Sequence, residues 1–201
     1  VTVIITWEVP MTLVTLFDHA GRESADPVGA DAATQWLWRL GIEAGAWPLK
    51  ERPLSGTPQL TCARELNALQ RRFGAVLTDR LRRRGGAAPR DAAGLPPWPE
   101  SSDEHTHDDH EVRVVLGGSA RFVLRAPGAS GWAAVDCEAG DWVALPAGLP
   151  HAFIEDAGRG VDMLRLFSRP RGWVIRRSGA TIPAALRRRD AEAGARALLA
   201  A

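Results

Sequence analysis

The stretch His105-Thr-His107-Asp-Asp-His-Glu111 is followed, forty residues after Glu111, by His151 at the end of Pro146-Ala-Gly-Leu-Pro-His151. Together these segments supply three imidazoles and one carboxylate at spacings that let them close around one divalent metal ion. In an extended segment, side chains two residues apart point the same way, with Cα atoms roughly 6.5–7 Å apart. His105 and His107 therefore share a face, and Glu111 can join them across a tight turn. His151 must arrive from elsewhere in the fold. Imidazole with one carboxylate suits Fe(II), Ni(II), Co(II) or Mn(II), whereas a closed structural zinc site more often uses thiolates. Four protein ligands on a six-coordinate ion leave two positions for water or substrate.

An H-x-H pair alone is weak evidence, because exposed histidines in acidic loops usually bind nothing. Here, four of the five histidines (His105, His107, His110 and His151, but not His19) fall in or beside the same constellation. The ligands are also framed. Six residues separate Glu111 from Gly118, and Gly140-x5-Pro146-x-Gly148-x2-His151 forms a second patterned segment. Arg113 lies two residues beyond Glu111, on the same strand face, which points it at the same pocket; its alternative is an ordinary surface ion pair. His110 lies between Asp109 and Glu111 and is expected to point outward in a regular strand. Were it aimed inward, its ordinary pKa near 6.5 would suit proton transfer.

The elements that must position these residues follow from patterning. Glu111–Leu116, Ala120–Arg125, Trp132–Cys137, Asp141–Leu145, Ala152–Glu155 and Asp162–Phe167 are short apolar runs separated by Gly, Pro or Asp, which suggests a barrel or double-sheet sandwich. Upstream, Thr12–Phe17 suits a strand, and Asp31 can cap a helix that runs to Leu40 and ends at Gly41. Ile42–Leu49 suits a second strand. Thr61–Arg84 reads as one helix, since Leu66, Leu69, Phe73, Val76, Leu77 and Leu81 recur at three- and four-residue steps. Its arginine-rich end (Arg80, Arg82, Arg83, Arg84) would then be a solvated terminus at the negative pole of the helix dipole. Gly85–Pro99 reads as a connector. Ala184–Ala201 is compatible with a helix or with no fixed structure.

Composition bounds the rest. With 201 residues, 45% hydrophobic and 24% charged, the chain can bury a real core. A formal net charge of +1 gives no electrostatic argument for nucleic acid or membrane. Cys62 and Cys137 are too few for a disulfide framework, which favours a reducing, cytoplasmic setting. The apolar start carries Glu8 and Pro10 and does not read as a signal peptide; Val1 and Met11 both remain possible starts.

The two-part ligand pattern resembles that of the cupin superfamily, in which facing strands of a small β-barrel each contribute ligands. The first motif's usual leading glycine is Pro99 here, and the usual asparagine after the last histidine is Glu155. Within that superfamily, Glu104-His-Thr-His-Asp-Asp-His-Glu-Val-Arg113 resembles the E-H-T-H-x-x-D-E-V-R pattern of the acireductone dioxygenases. Gly140-Asp-Trp-Val-Ala-Leu-Pro-Ala-Gly-Leu-Pro-His151 resembles that family's second segment, and Arg165-Leu-Phe167 with Pro170-Arg-Gly-Trp173 resembles its R-[IL]-F…P-x-G-W ending.

The resemblance implies a mainly β fold with flanking helices, a cupin-type double-stranded β-barrel (jelly roll). The barrel core would span 100–178, preceded by strands, helices and connector over 1–99 and followed by a tail over 179–201. It implies metal ligation by His105, His107, Glu111 and His151. Arg113 and Arg165 would be catalytic, and Phe153 and Trp173 would contact substrate. The implied reaction is O2-dependent cleavage of an acireductone in methionine salvage, by a monomer or small homo-oligomer with no nucleic-acid or membrane partner. Iron as cofactor implies the 2-keto acid precursor of methionine plus formate; Ni(II) implies methylthiopropionate, formate and carbon monoxide. The family's acid before the ligand Glu is His110 here, and its aromatic strand is Val114-Val115, which leaves the substrate's tail open. Another cupin dioxygenase or isomerase would share the ligands without needing Arg165 or the R-L-F…G-W ending, and a non-catalytic metal-binding cupin would bind ligand without consuming oxygen.

Overall fold

The computed structural model describes residues 13–23, 30–47, 63–84, 103–126, 131–155 and 159–187. Expectations for Val1, Met11, Cys62, the Gly85–Pro99 connector and the tail beyond 187 lie outside these residues. Ten strands and two helices follow in the order β1 (Leu13–Phe17), α1 (Ala30–Arg39), β2 (Glu43–Ala46), α2 (Ala63–Arg72), β3 (Leu77–Arg84), β4 (His105–Thr106), β5 (Glu111–Arg125), β6 (Trp132–Glu138), β7 (Asp141–Leu145), β8 (His151–Glu155), β9 (Gly160–Phe167) and β10 (Arg176–Arg177). A 3-10 turn over Ala184–Arg187 closes the described chain.

Among the described residues all pairings are antiparallel, and the long strand β5 belongs to two sheets. Its first half pairs with β7 and β9, and its second half with β6 and β8. One sheet runs β1-β6-β5-β8-β4-β10; the other joins β2, β7, β5, β9 and β3. This is the expected cupin jelly roll. Sequence punctuation suggested two strands over 111–125; the structure has one strand that bends. The register shifts between Val115 and Gly117, and Gly118 takes a φ of +69°. A Cβ at Gly118 would stand 2.1 Å from the Gly160 carbonyl oxygen, so only glycine lets the strand turn the barrel corner here.

Period-2 alternation explains the layering. Val115, Phe122, Leu124, Val143, Leu145, Phe153 and Met163 pack together as the barrel core. Val112, Val114, Leu164 and Leu166 point to the opposite face, where Leu69 of α2 and Trp47 cover them. The strands before residue 99 do more than pack on the barrel: β1, β2 and β3 hydrogen-bond to β6, β7 and β9 and widen its sheets.

The expected helix over Thr61–Arg84 is corrected. Only Ala63–Arg72 is helical, and Leu77–Arg84 is a strand paired along its whole length with β9. Gly74, at φ +60°, ends the helix: its N–H meets the Arg71 carbonyl at 3.4 Å, and the Ala75 N–H meets that of Gln70 at 2.8 Å, a Schellman closure. A four-residue step such as Leu77–Leu81 fits a helical turn and also two strand periods, so it could not discriminate. Arg80, Arg82 and Arg83 are therefore ion-pair partners on a strand, not a solvated helix end. Arg80 grips Asp162 with two 2.7 Å bonds, Arg82 adds a third at 2.9 Å, and Arg83 pairs with Glu155 at 2.6 Å. The second upstream strand is shorter than expected, Glu43–Ala46, and α1 starts at Ala30, so Asp31 lies inside the helix rather than capping it.

Candidate metal centre

His105 on β4 lies directly across from His151 on β8, which in turn lies across from Leu124 of β5. The first ligand segment and the second are thus neighbours in one sheet. Gly148, in the left-handed conformation at φ +77°, turns the chain so that its N–H reaches the His107 carbonyl at 2.8 Å. The Pro146-Ala-Gly-Leu-Pro pattern is therefore a turn that binds the two segments together. The ring centroids lie 5.1 Å apart for His105–His107, 4.5 Å for His105–His151 and 5.2 Å for His107–His151. All three rings are buried, and their ligand atoms lie within 4.8 Å of one another.

Hydrogen bonding sets the tautomers. Nδ1 of His105 contacts the Asp103 carbonyl at 2.8 Å, Nδ1 of His151 the Leu149 carbonyl at 2.8 Å, and Nδ1 of His107 the Val174 carbonyl at 3.2 Å. A carbonyl can only accept, so each Nδ1 carries the proton and each Nε2 presents a lone pair. Burial, with the neighbouring His151 charge adding to it, pushes His105 down to about 4. Burial also lowers His107, against the pull of Glu111. Neutral imidazoles are the form that binds metal.

Glu111 borders this three-histidine group, with Oε1 3.6 Å from His107 Nε2 and Oε2 3.2 Å from His151 Nε2. With its proton on Nδ1, His151 has none on Nε2 to donate across the second distance. His107 Nε2, His151 Nε2 and Glu111 Oε2 are all buried without a hydrogen-bond partner. Such orphaned groups cost roughly 1–3 kcal/mol each. A cation bound between them would satisfy all three, so the donor set fits a metal ion. Burial alone would raise the Glu111 carboxyl; the Arg113 guanidinium and the imidazoles of His107 and His151 overcome it and hold the group well below its ordinary range.

Arg113 is 1% exposed, reaches Glu111 Oε1 at 2.7 Å and Met163 Sδ at 3.3 Å, and lies over the Phe153 ring at 5.0 Å. It points into the barrel, as its spacing from Glu111 implied, and the surface-pair alternative is excluded. Arg165 is also buried and faces the same side, but both arms of its guanidinium bind Asp79 at 2.7 Å. Asp79 escaped the sequence reading because it lies on β3, which was read as helix. Phe153 is buried between Arg113 and Phe122. Trp173 is half-buried, immediately before Val174, whose carbonyl orients His107. His110 is exposed, as expected, and its neighbour Asp109 is buried. Glu104, the residue before the ligand candidate His105, is a buried carboxylate clasped by Arg125 at 2.5 and 2.7 Å and by Ser178 at 2.5 Å. It ties β5 to the chain entering β4.

Residues 100–175 match the model of the ARD/ARD' family. The chain is 33% identical over 177 residues to acireductone dioxygenase 1 of Nocardia farcinica, which covers 82% of this chain and 89% of the relative. The chain belongs to the acireductone dioxygenase family. An acireductone dioxygenase of a Synechococcus species is 32% identical over 164 residues, covering 80% of this chain and 83% of that one. A solved acireductone dioxygenase from Bacillus anthracis, with cadmium in its active centre, superposes with a TM-score of 0.65 over 84% of this chain and 99% of that chain. At 20% identity, that likeness bears on the fold alone. The site described above is the candidate metal centre of this family member.

Proposed function

We propose that this acireductone dioxygenase family member binds one Fe(II) through His105, His107, Glu111 and His151. With O2 it would cleave 1,2-dihydroxy-5-(methylthio)pent-1-en-3-one to 4-methylthio-2-oxobutanoate and formate, in cytoplasmic methionine salvage. The observation that carries this reading is the set of buried, partnerless Nε2 and Oε2 atoms facing one another in a chain of this family. The bound metal would supply open coordination positions and Lewis acidity toward an ene-diol. Both atoms of O2 enter the products, so no further reductant is required.

The chain's own residues bind and orient. Arg113 holds Glu111 ionised and directed at the histidines, and its cation stabilises negative charge on an enolised substrate in a buried site, where fixed charges act strongly. Phe153 backs Arg113, and with Phe122, Met163, Val143 and Leu145 keeps water out of the barrel beneath the site. Trp173 contacts the substrate from the turn that precedes Val174. Arg165, with both arms on Asp79, supports the floor of the site in a charge-compensated pair. Ni(II) fits the same ligands and would redirect the products to methylthiopropionate, formate and carbon monoxide. Oxygen uptake by Fe(II)-loaded protein given synthetic acireductone, with formate and the keto acid quantified, tests the proposal. Metal binding without oxygen consumption would reject it.

A further inference from the structure

The three histidines are not oriented in the same way. His105 and His151 each donate Nδ1–H to a carbonyl two residues earlier in their own segment, so local backbone fixes those rings. His107 depends on the Val174 carbonyl, 67 residues away. Something must hold that distant carbonyl in place. The residues before Val174 form a tight turn: Gly172 N–H meets the Arg169 carbonyl and Val174 N–H meets that of Arg171, both at 3.1 Å. This turn is anchored on one buried side chain, Asp109.

Asp109 is 3% exposed and stands two residues after His107. Its Oδ1 accepts from Ser168 Oγ at 2.5 Å and from the His110 N–H at 2.9 Å; its Oδ2 accepts from the Arg169 N–H at 2.9 Å. The other side of the turn presses on the same carboxylate. A Cβ added at Gly172 would lie 2.3 Å from Asp109 Oδ2, so a side chain there would displace either the turn or the carboxylate. A closed ring results, from His107 to Asp109, across to Ser168 and Arg169, along the turn to Val174, and back to the His107 ring.

We infer that Asp109 is a positioning residue of the metal site, which sets the direction of His107 Nε2 by clamping the 168–172 turn ahead of the Val174 carbonyl. The inference rests on the metal-site reading, but its first test needs no metal. Partners that orient a ligand imidazole are worth about 10–100-fold in metal affinity.

In metal-free protein, long-range 1H–15N spectra report the tautomer of each ring. Asp109→Asn, which replaces an acceptor facing Ser168 and Arg169 with an amide, is expected to lower the Nδ1–H population of His107 while leaving His105 and His151 unchanged. Titration with Co(II) should then show affinity lower by about 10–100-fold and a shifted ligand-field spectrum. Gly172→Ala strains the ring from its other side and should produce the same His107-selective change if Asp109→Asn fails to fold. Because both variants act on one clamp, their combined effect should be less than the product of the two. Unchanged His107 tautomers and Co(II) affinity in the folded variants would overturn the inference. If wild-type protein takes up no Co(II) while the variants still show the His107 change, the metal reading is rejected and the clamp stands.

Discussion

Arg113 and Arg165 stand directly opposite each other on β5 and β9, yet each turns to a different carboxylate: Arg113 to Glu111 and Arg165 to Asp79, both at 2.7 Å. Like charges directly across an antiparallel pair repel. Two carboxylates on the same face offset that repulsion and give the arginines different partners. Arg113 shares Glu111 with the histidine cluster, while Arg165 is held by Asp79. Replacing Arg113 with Met should lower kcat/KM by roughly 10²-fold or more, as for loss of one oxyanion donor. It should also weaken metal retention modestly, since Glu111 loses its guanidinium. Arg165→Met should instead destabilise the fold by about 1–3 kcal/mol by stranding Asp79, with a smaller effect on turnover. Urea denaturation and steady-state kinetics on the same two variants separate the roles; equal kinetic losses would return Arg165 to the substrate.

Ligand substitutions should act on metal content before anything else. His107→Ala or His151→Ala is expected to reduce the roughly one ion per chain to a small fraction, because the remaining donors cannot complete the same geometry. Elemental analysis after dialysis gives the stoichiometry. Full occupancy in either variant would show that the ion is bound elsewhere.

The exposed position of His110 makes a sharp kinetic expectation. His110→Asp should leave the pH–rate profile essentially unchanged, because the ring points to solvent while the residues beside it, Asp109 and Glu111, are buried. Disappearance of a titration between about pH 6 and 7 in that variant, near the ordinary histidine pKa, would place the ring in the reaction.

Asp141 provides a test of pH dependence away from the site. Burial, reinforced more weakly by the neighbouring Glu138 charge, raises its carboxyl to about 6, against a 2.8 Å bond from the Glu138 N–H. A raised folded pKa means that the native chain holds this proton more tightly than the unfolded chain. Its contribution is fully present below the unfolded value of 3.8 and is lost as pH rises through about 6. Asp141→Asn keeps an acceptor for the Glu138 N–H and removes the buried charge. Allowing for partial solvent screening, we expect a gain on the order of 1 kcal/mol at pH 7.5 and little gain at pH 4. Asp162 works in the opposite direction: burial opposes it, but Arg80 and Arg82 hold it down, so its contribution is lost as pH falls. The comparison should therefore be made between variant and parent at each pH. A variant no more stable than the parent at pH 7.5 would contradict the buried-charge account.

Much of the site was legible from the order of residues alone. Ligand type depends on side-chain chemistry, and spacing along a strand decides which side chains share a face, so His105, His107, Glu111 and Arg113 could be grouped without coordinates. The turn residues Gly140 and Gly148 marked a second segment for the same reason, since a left-handed backbone conformation is recorded in the residue type. Pairing partners were not legible. Whether Leu77–Arg84 is helix or strand depended on a neighbour, β9, whose full-length ladder outweighs local propensity, while Leu77 and Leu81 satisfied both periods. With that strand unseen, Asp79 could not be matched to Arg165. The Val174 carbonyl on His107 and the Asp109 clamp likewise join segments some sixty residues apart. Contacts of that span leave no periodic trace in the chain; only the folded barrel, by bringing β4, β5 and the turn after β9 to one end, decided how the ligands are aimed.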